Sequence, residues 1–156
     1  MQLNNKLLVT LEIQMLANDF WHEVDHNWGK NAAEFFVEDG VYDLGNQRLV
    51  GRDAIKSFYN WRQERGARVA RHLVNNMRVS MYDGDSTEAI SILSLVAADG
   101  EPPLPSEPPI MLGDVIDKCV RGTDGRWRYQ SRVIRKLFAG KVPGTVPPPD
   151  FMNKRK

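Results

Sequence analysis

The stretch AIKSFYNWRQERGARVARHLVNNMRVSMY, residues 54–82, contains the change of period that decides the fold. Ile55, Phe58 and Trp61 recur at i, i+3 and i+6, which predicts a helix over Ala54–Glu64, and Gly66 is placed to end it. From Val69 to Tyr82 the period falls to two and β-branched residues become frequent, as in a long strand. Ser86–Ala98, Ile110–Arg121 and Arg126–Phe138 continue that pattern. Asp83-Gly84-Asp85 and Thr123-Asp124-Gly125 are turn sequences between neighbours, whereas the proline-rich Gly100–Pro109 is an extended loop placed to serve as a lid.

Toward the N-terminus, Leu8, Leu11, Met15, Phe20 and Val24 fall mostly three to five apart, predicting one long amphipathic helix over residues 3–28, with Asn4 or Asn5 as its cap. Lys30–Val37 reads as a short second helix stopped by Asp39-Gly40. Val41–Leu44 and Gln47–Val50 read as two short strands around Gly45-Asn46. Three N-terminal helices followed by long antiparallel strands make an α+β domain and not a βαβ one. A strongly curved sheet wrapped around those helices leaves a concave face suited to a small molecule. Residues 1–140 form the domain, and 141–156 are a proline-rich basic tail expected to pack late or on a neighbour.

Composition narrows the class. The 156 residues are 42% hydrophobic and 26% charged, the balance of one globular domain. No apolar run approaches the length of a membrane span and no signal peptide is evident, so no membrane and a cytoplasmic setting are expected. A lone Cys119 excludes an intramolecular disulfide and a cysteine-rich zinc site. Residues 118–156 carry 11 Lys and Arg against 2 acids, a charge of +9 that leaves −8 on the rest. Arg126, Arg128 and Arg132 alternate with Trp127, Tyr129 and Ser131, which reads as an outward strand face and not a nucleic-acid site. No phosphate-binding or dinucleotide glycine motif and no G-x-S-x-G is present, so no cofactor is expected.

Two constellations could carry chemistry. His22-Glu23-Val24-Asp25-His26 fits H-E-x-x-H, but only His72 remains as a further histidine and no third-ligand motif follows. Zinc hydrolysis therefore ranks last, no metal is expected, and His22 and His26 read as rim residues. The second constellation is Asp25 with His72. Asp25 stands near the end of the first helix, and alternation places Ala70, His72, Val74 and Asn76 on one strand face. If that face is concave, a carboxylate on Nδ1–H would orient the ring and leave Nε2 as a general base. The same pair would also serve as a purely structural tie, and spacing does not choose between them. Phe20, Trp21, Val24, Trp28, Tyr42, Phe58, Trp61, Leu112 and Val133 are the candidate apolar walls, with Tyr42 and Asn76 the polar groups among them.

Residues 8–137 as a series resemble the SnoaL-like branch of the nuclear-transport-factor-2-like superfamily. The carrying segments are Val24-Asp25-His26-Asn27-Trp28, Phe35-Phe36-Val37-Glu38-Asp39-Gly40-Val41-Tyr42, Gly51-Arg52-Asp53-Ala54-Ile55, Arg71-His72-Leu73-Val74-Asn75-Asn76, Val115-Ile116-Asp117 and Asp124-Gly125-Arg126-Trp127. The resemblance implies a cone: a curved mixed sheet around three helices with a pocket at its mouth. It implies a homo-oligomer, dimer or trimer, and a small hydrophobic partner. In scytalone dehydratase and hexachlorocyclohexane dehydrochlorinase, a helix-1 aspartate pairs with a strand histidine that removes a proton from carbon, and Asp25 and His72 fall on those positions. Val24 replaces the dehydratase's tyrosine and Phe20 stands near the dehydrochlorinase's lysine, so neither substrate transfers. The expected function is a cofactor-free lyase or isomerase, dehydratase-like, acting on a small hydrophobic, cyclic or aromatic molecule. The alternative is a non-catalytic binding or scaffold subunit resembling the aromatic-ring dioxygenase β-subunit.

Overall fold

A computed structural model describes residues 3–81 and 83–141. Helix α1 (Leu3–His26) is followed by a single 3₁₀ turn (Ala32–Phe35), strands β1 (Phe36–Asp43) and β2 (Arg48–Val50), and helix α2 (Arg52–Glu64). Four long strands complete the domain: β3 (Arg68–Met81), β4 (Ser86–Asp99), β5 (Met111–Arg121) and β6 (Trp127–Ala139). They form one curled mixed sheet in the order β2-β1-β6-β5-β4-β3, antiparallel except where β1 runs parallel to β6. The helices pack into its concave side, as expected of this α+β class.

The second predicted helix is the point of difference. Only Ala32–Phe35 turns, as 3₁₀, and Asp39-Gly40 lies inside β1 and not at a helix end. Phe36 must be extended to bury its ring against Phe20, Tyr42 and Tyr129. Gly40 sits at the register shift of β1 against β6, where a Cβ would press on the Phe36 side chain and on backbone oxygens of Val37 and Tyr129. Among the described residues there are thus two α-helices and one short 3₁₀ turn. The basic tail lies outside the described residues, apart from Lys141.

α1 buries a different face from the one its leucines suggest. Val9, Ile13, Ala17, Phe20, Trp21 and Val24 face the sheet, while Leu7, Leu8, Leu11 and Met15 are 54–61% exposed. The helix carries two apolar stripes, and a polar anchor decides between them. Glu12 accepts hydrogen bonds from Trp127 Nε1 (2.8 Å) and Arg121 Nη2 (2.7 Å), fixing the rotation of α1 over β5 and β6. At the other end, the Glu23 carboxylate takes the Asn27 side chain and the Asn31 backbone N–H, closing the turn after the helix.

Bulges reset side-chain parity along the sheet. On β5, odd-numbered residues from Met111 to Cys119 face inward. Their β6 partners are Tyr129 opposite Cys119 but Ser131 opposite Lys118, so Gln130 is an extra residue. A second shift at Leu112/Gly113 leaves Leu137 extra. The first bulge turns Arg132 inward and Val133 outward. Arg132, expected on the outward charged face, is fully buried. β3 has its own bulge between Asn75 and Arg78, with Asn76 in the left-handed region at φ 51°.

Candidate active site

His72 and Asp25 meet. Asp25 Oδ1 lies 2.6 Å from His72 Nδ1, and Asp25 Oδ2 accepts the His72 backbone N–H at 2.8 Å. The carboxylate therefore fixes both the ring and the strand that carries it. With Nδ1 engaged, Nε2 is the free ring nitrogen of a residue that lines a cavity of about 410 Å³. The indole of Trp21, one helical turn before Asp25, stacks flat on the imidazole, with centroids 4.0 Å apart and planes 8° apart. Both dyad side chains are more than nine-tenths buried. Burial lowers the His72 pKa below its ordinary 6.5, and the hydrogen bond and charge of Asp25 only partly oppose that. The imidazole is thus a neutral acceptor near physiological pH.

Behind the dyad is a charge absent from the predicted site. Arg132 donates to Asp117 from Nε (2.8 Å) and Nη2 (2.9 Å), and both side chains are essentially without solvent exposure. Its guanidinium lies 4.1 Å from the centroid of Tyr129, 4.6 Å from that of Phe20 and 5.1 Å from that of Trp21. Burial works against the arginine charge, but Asp117 and Tyr129 more than offset it and hold the pKa above its ordinary value. Arg132 thus braces Trp21, which in turn braces His72. No spacing rule finds this residue, because the Gln130 bulge that turns it inward leaves no mark in a period-two pattern.

Of the candidate walls, Trp21, Val24, Tyr42 and Phe58 line the cavity with His72. Tyr42 and Tyr59 both line the cavity, and burial raises the pKa of both phenols, so both remain protonated. Phe20 lies beneath this wall, edge-on to five aromatic rings. The remaining candidates are outside the lining. Trp28 projects from the turn after α1 at φ 61° and is 37% exposed. Trp61 packs on the outer side of Phe58 beneath Arg65. Asn76 is turned to solvent by the β3 bulge, and Leu112 and Val133 have outward parity. Leu93, Leu95, Ile110, Met111 and Ile134 supply the apolar wall in their place. His22 and His26 stack on each other on the exposed side of α1. Among the described residues, no group of three or more His, Cys, Asp or Glu is arranged to hold a metal. Burial pushes the Cys119 thiol pKa up, away from the reactive range.

Residues 5–133 match the SnoaL-like domain family. The chain belongs to that family. Among solved structures, this SnoaL-like domain is similar to a Novosphingobium aromaticivorans protein provisionally described as scytalone dehydratase. The TM-score is 0.79 at 21% identity, covering 95% of this chain and 97% of that one. ActVI-ORFA of Streptomyces coelicolor gives 0.72 at 18% identity, over 85% and 97%. A Mycobacterium tuberculosis protein of unknown function gives 0.74 at 20% identity, over 87% and 76%. At such identities the likeness shows a shared fold and nothing finer. No curated protein matches the chain. No helix among the described residues is long and apolar enough to cross a membrane.

Proposed function

We propose that this SnoaL-like domain is a lyase or isomerase, dehydratase-like, in which His72 removes a proton from carbon in a cyclic or aromatic substrate. The observation that carries this reading is the two-point grip of Asp25 on His72, which engages Nδ1 of a cavity-lining histidine and leaves Nε2 as its free nitrogen. Nε2 accepts the proton from a carbon next to a carbonyl, and the imidazolium formed is stabilised by the Asp25 carboxylate. The electron pair moves onto the carbonyl oxygen, where Tyr42 or Tyr59 donates a hydrogen bond to the enolate. A leaving hydroxyl on the next carbon then takes that proton from the His72 imidazolium and departs as water, or the imidazolium returns the proton to carbon at a new position. A positioned base contributes roughly 10²–10⁴-fold, so the phenols are needed as well.

The test is solvent-deuterium incorporation into a panel of cyclic and aromatic ketones, with and without a β-hydroxyl, followed by NMR. The wild type exchanges or eliminates at least one member. His72→Gln loses roughly 10²–10⁴-fold in rate while still folding. Exchange that persists unchanged in His72→Gln overturns the reading.

A second reading rests on the same contact. Because Asp25 holds the His72 backbone N–H as well as the ring, the pair also ties α1 to the edge strand β3, as a binding or scaffold subunit would require. Under that reading, Asp25→Asn lowers stability and no member of the panel exchanges.

A further inference from the structure

The cavity has a charge pattern that a purely hydrophobic ligand does not use. Arg62, Arg68 and Lys136 line it, and among the described residues no carboxylate does. Each points inward by its place in the fold. Arg62 follows Ile55, Phe58 and Tyr59 on the buried face of α2. Arg68 opens β3 on the face of Ala70 and His72, and Lys136 follows Arg132 and Ile134 on β6 before the Leu137 bulge. The Arg68 side chain is only 8% exposed. Its Nη1 donates to Asp99 Oδ1 at 2.6 Å, a carboxylate that is 64% exposed and also approached by Arg65 at 3.8 Å. Arg68 Nη2 is buried without a hydrogen-bond partner, and Arg62 has no ion-pair partner among the described residues. The field of Arg62 reaches His72, Tyr42 and Tyr59, where it lowers each pKa.

Positive charges gathered at a concave apolar wall, with one guanidinium donor unspent, attract and orient an anion. A guanidinium fork matches a carboxylate in two parallel hydrogen bonds, and burial makes the match worth more than in water. Arg68 and His72 are four residues apart on one strand face, about 13 Å at roughly 3.3 Å per residue. That separation leaves room for an apolar skeleton of one or two rings between an anchored anion and the reacting carbon.

We propose that the Arg62–Arg68–Lys136 end of the cavity is a carboxylate subsite, and that the substrate is an amphipathic organic acid. Its carboxylate lies between Arg62 and Arg68, with Lys136 adding charge at the rim. Its ring system packs on Phe58, Leu93, Ile110 and Ile134. The proposal deepens the proton-abstraction reading and rests on it for the chemistry; the binding it claims is measured separately.

The test uses the full chain and two probes of one shape, 2-naphthoate and 2-naphthylmethanol, titrated by calorimetry. The carboxylate binds at least about tenfold tighter than the alcohol, and its advantage shrinks as salt rises. Arg62→Met and Arg68→Met each weaken naphthoate about tenfold and leave the alcohol within about twofold, while Arg62→Lys recovers part of the loss. Should Arg68→Met not fold, Lys136→Met gives a smaller loss of the same sign. Equal affinity for the two probes, equal losses for both in the variants, or no binding of naphthoate at millimolar concentration overturns the subsite. His72→Gln keeps the preference for naphthoate while losing deuterium exchange. A preference for naphthoate without exchange in the wild type therefore rejects the dyad chemistry alone, and exchange without the preference rejects the subsite alone.

Discussion

His72 is held neutral by burial, and this has a consequence for pH that can be worked out in sign. In the unfolded chain its imidazole protonates near the ordinary 6.5; in the native protein it does so lower. Above about 6.5 neither state carries the proton, and the native contacts contribute fully. As pH falls below that point, the unfolded state takes up a proton that the native state refuses. Stability then drains away until the lower native pKa is reached. Urea midpoints measured between pH 7.5 and 5 are expected to fall in the wild type and to fall less in His72→Gln. His22 and His26 are common to both proteins and exposed, so they do not produce the difference. For the same reason, the acid limb of a kcat/KM profile for a substrate of this site lies below 6.5. A limb above 6.5 would show that His72 is not the base.

At the scale of the element, β6 shows what a sequence reveals and what it hides. The four long strands were legible within a residue at each end and the helix before them within two, because period and turn chemistry are local properties. Asp25 and His72 were legible too, since Asp25 lies on a regular helix and His72 precedes the bulge of β3. Arg132, Val133 and Asn76 were not, because one inserted residue exchanges the two faces of a strand and is fixed by pairing with a distant neighbour. Leu112 simply falls on the outward face of β5, whose alternation is unbroken from Met111 to Cys119. The face of α1 was misread for a related reason: two apolar stripes compete, and the Glu12 anchor that settles the matter reaches to β5 and β6. The inward turn at Gln130 gives a prediction for the element. Arg132→Leu leaves Asp117 charged and buried, and is expected to cost about 3–5 kcal/mol in urea unfolding. Arg132→Leu combined with Asp117→Leu should recover most of that loss, since the penalty is the orphaned charge and not the missing pair. A double variant as weak as the single one would mean that the arginine's packing on Phe20, Trp21 and Tyr129 carries the stability.

For the molecule as a whole, the organising feature is the parallel pairing of β1 with β6, which joins residues 36–43 to residues 129–133. β6 lies between β1 and β5, so without it the β1–β2 hairpin has no hydrogen-bonded link to the β5-β4-β3 half of the sheet. A chain cut to residues 1–125 keeps Asp25 and His72 and loses the strand that carries Arg132. It is expected to lack the near-ultraviolet signal of a packed aromatic core and to unfold without cooperativity. A cooperative transition in that fragment would show that α1 and β3–β5 suffice on their own. The same pairing sets a timetable during synthesis. The two halves of the sheet leave the ribosome as separate pieces, and the strand that joins them emerges last. While translation continues, the exposed edge of β1 and the apolar inner face of β5 have no covering within their own chain. Any activity of this domain therefore begins only after its final strand has left the exit tunnel, and the growing chain depends on fast release or on a chaperone to keep that edge from pairing with another copy.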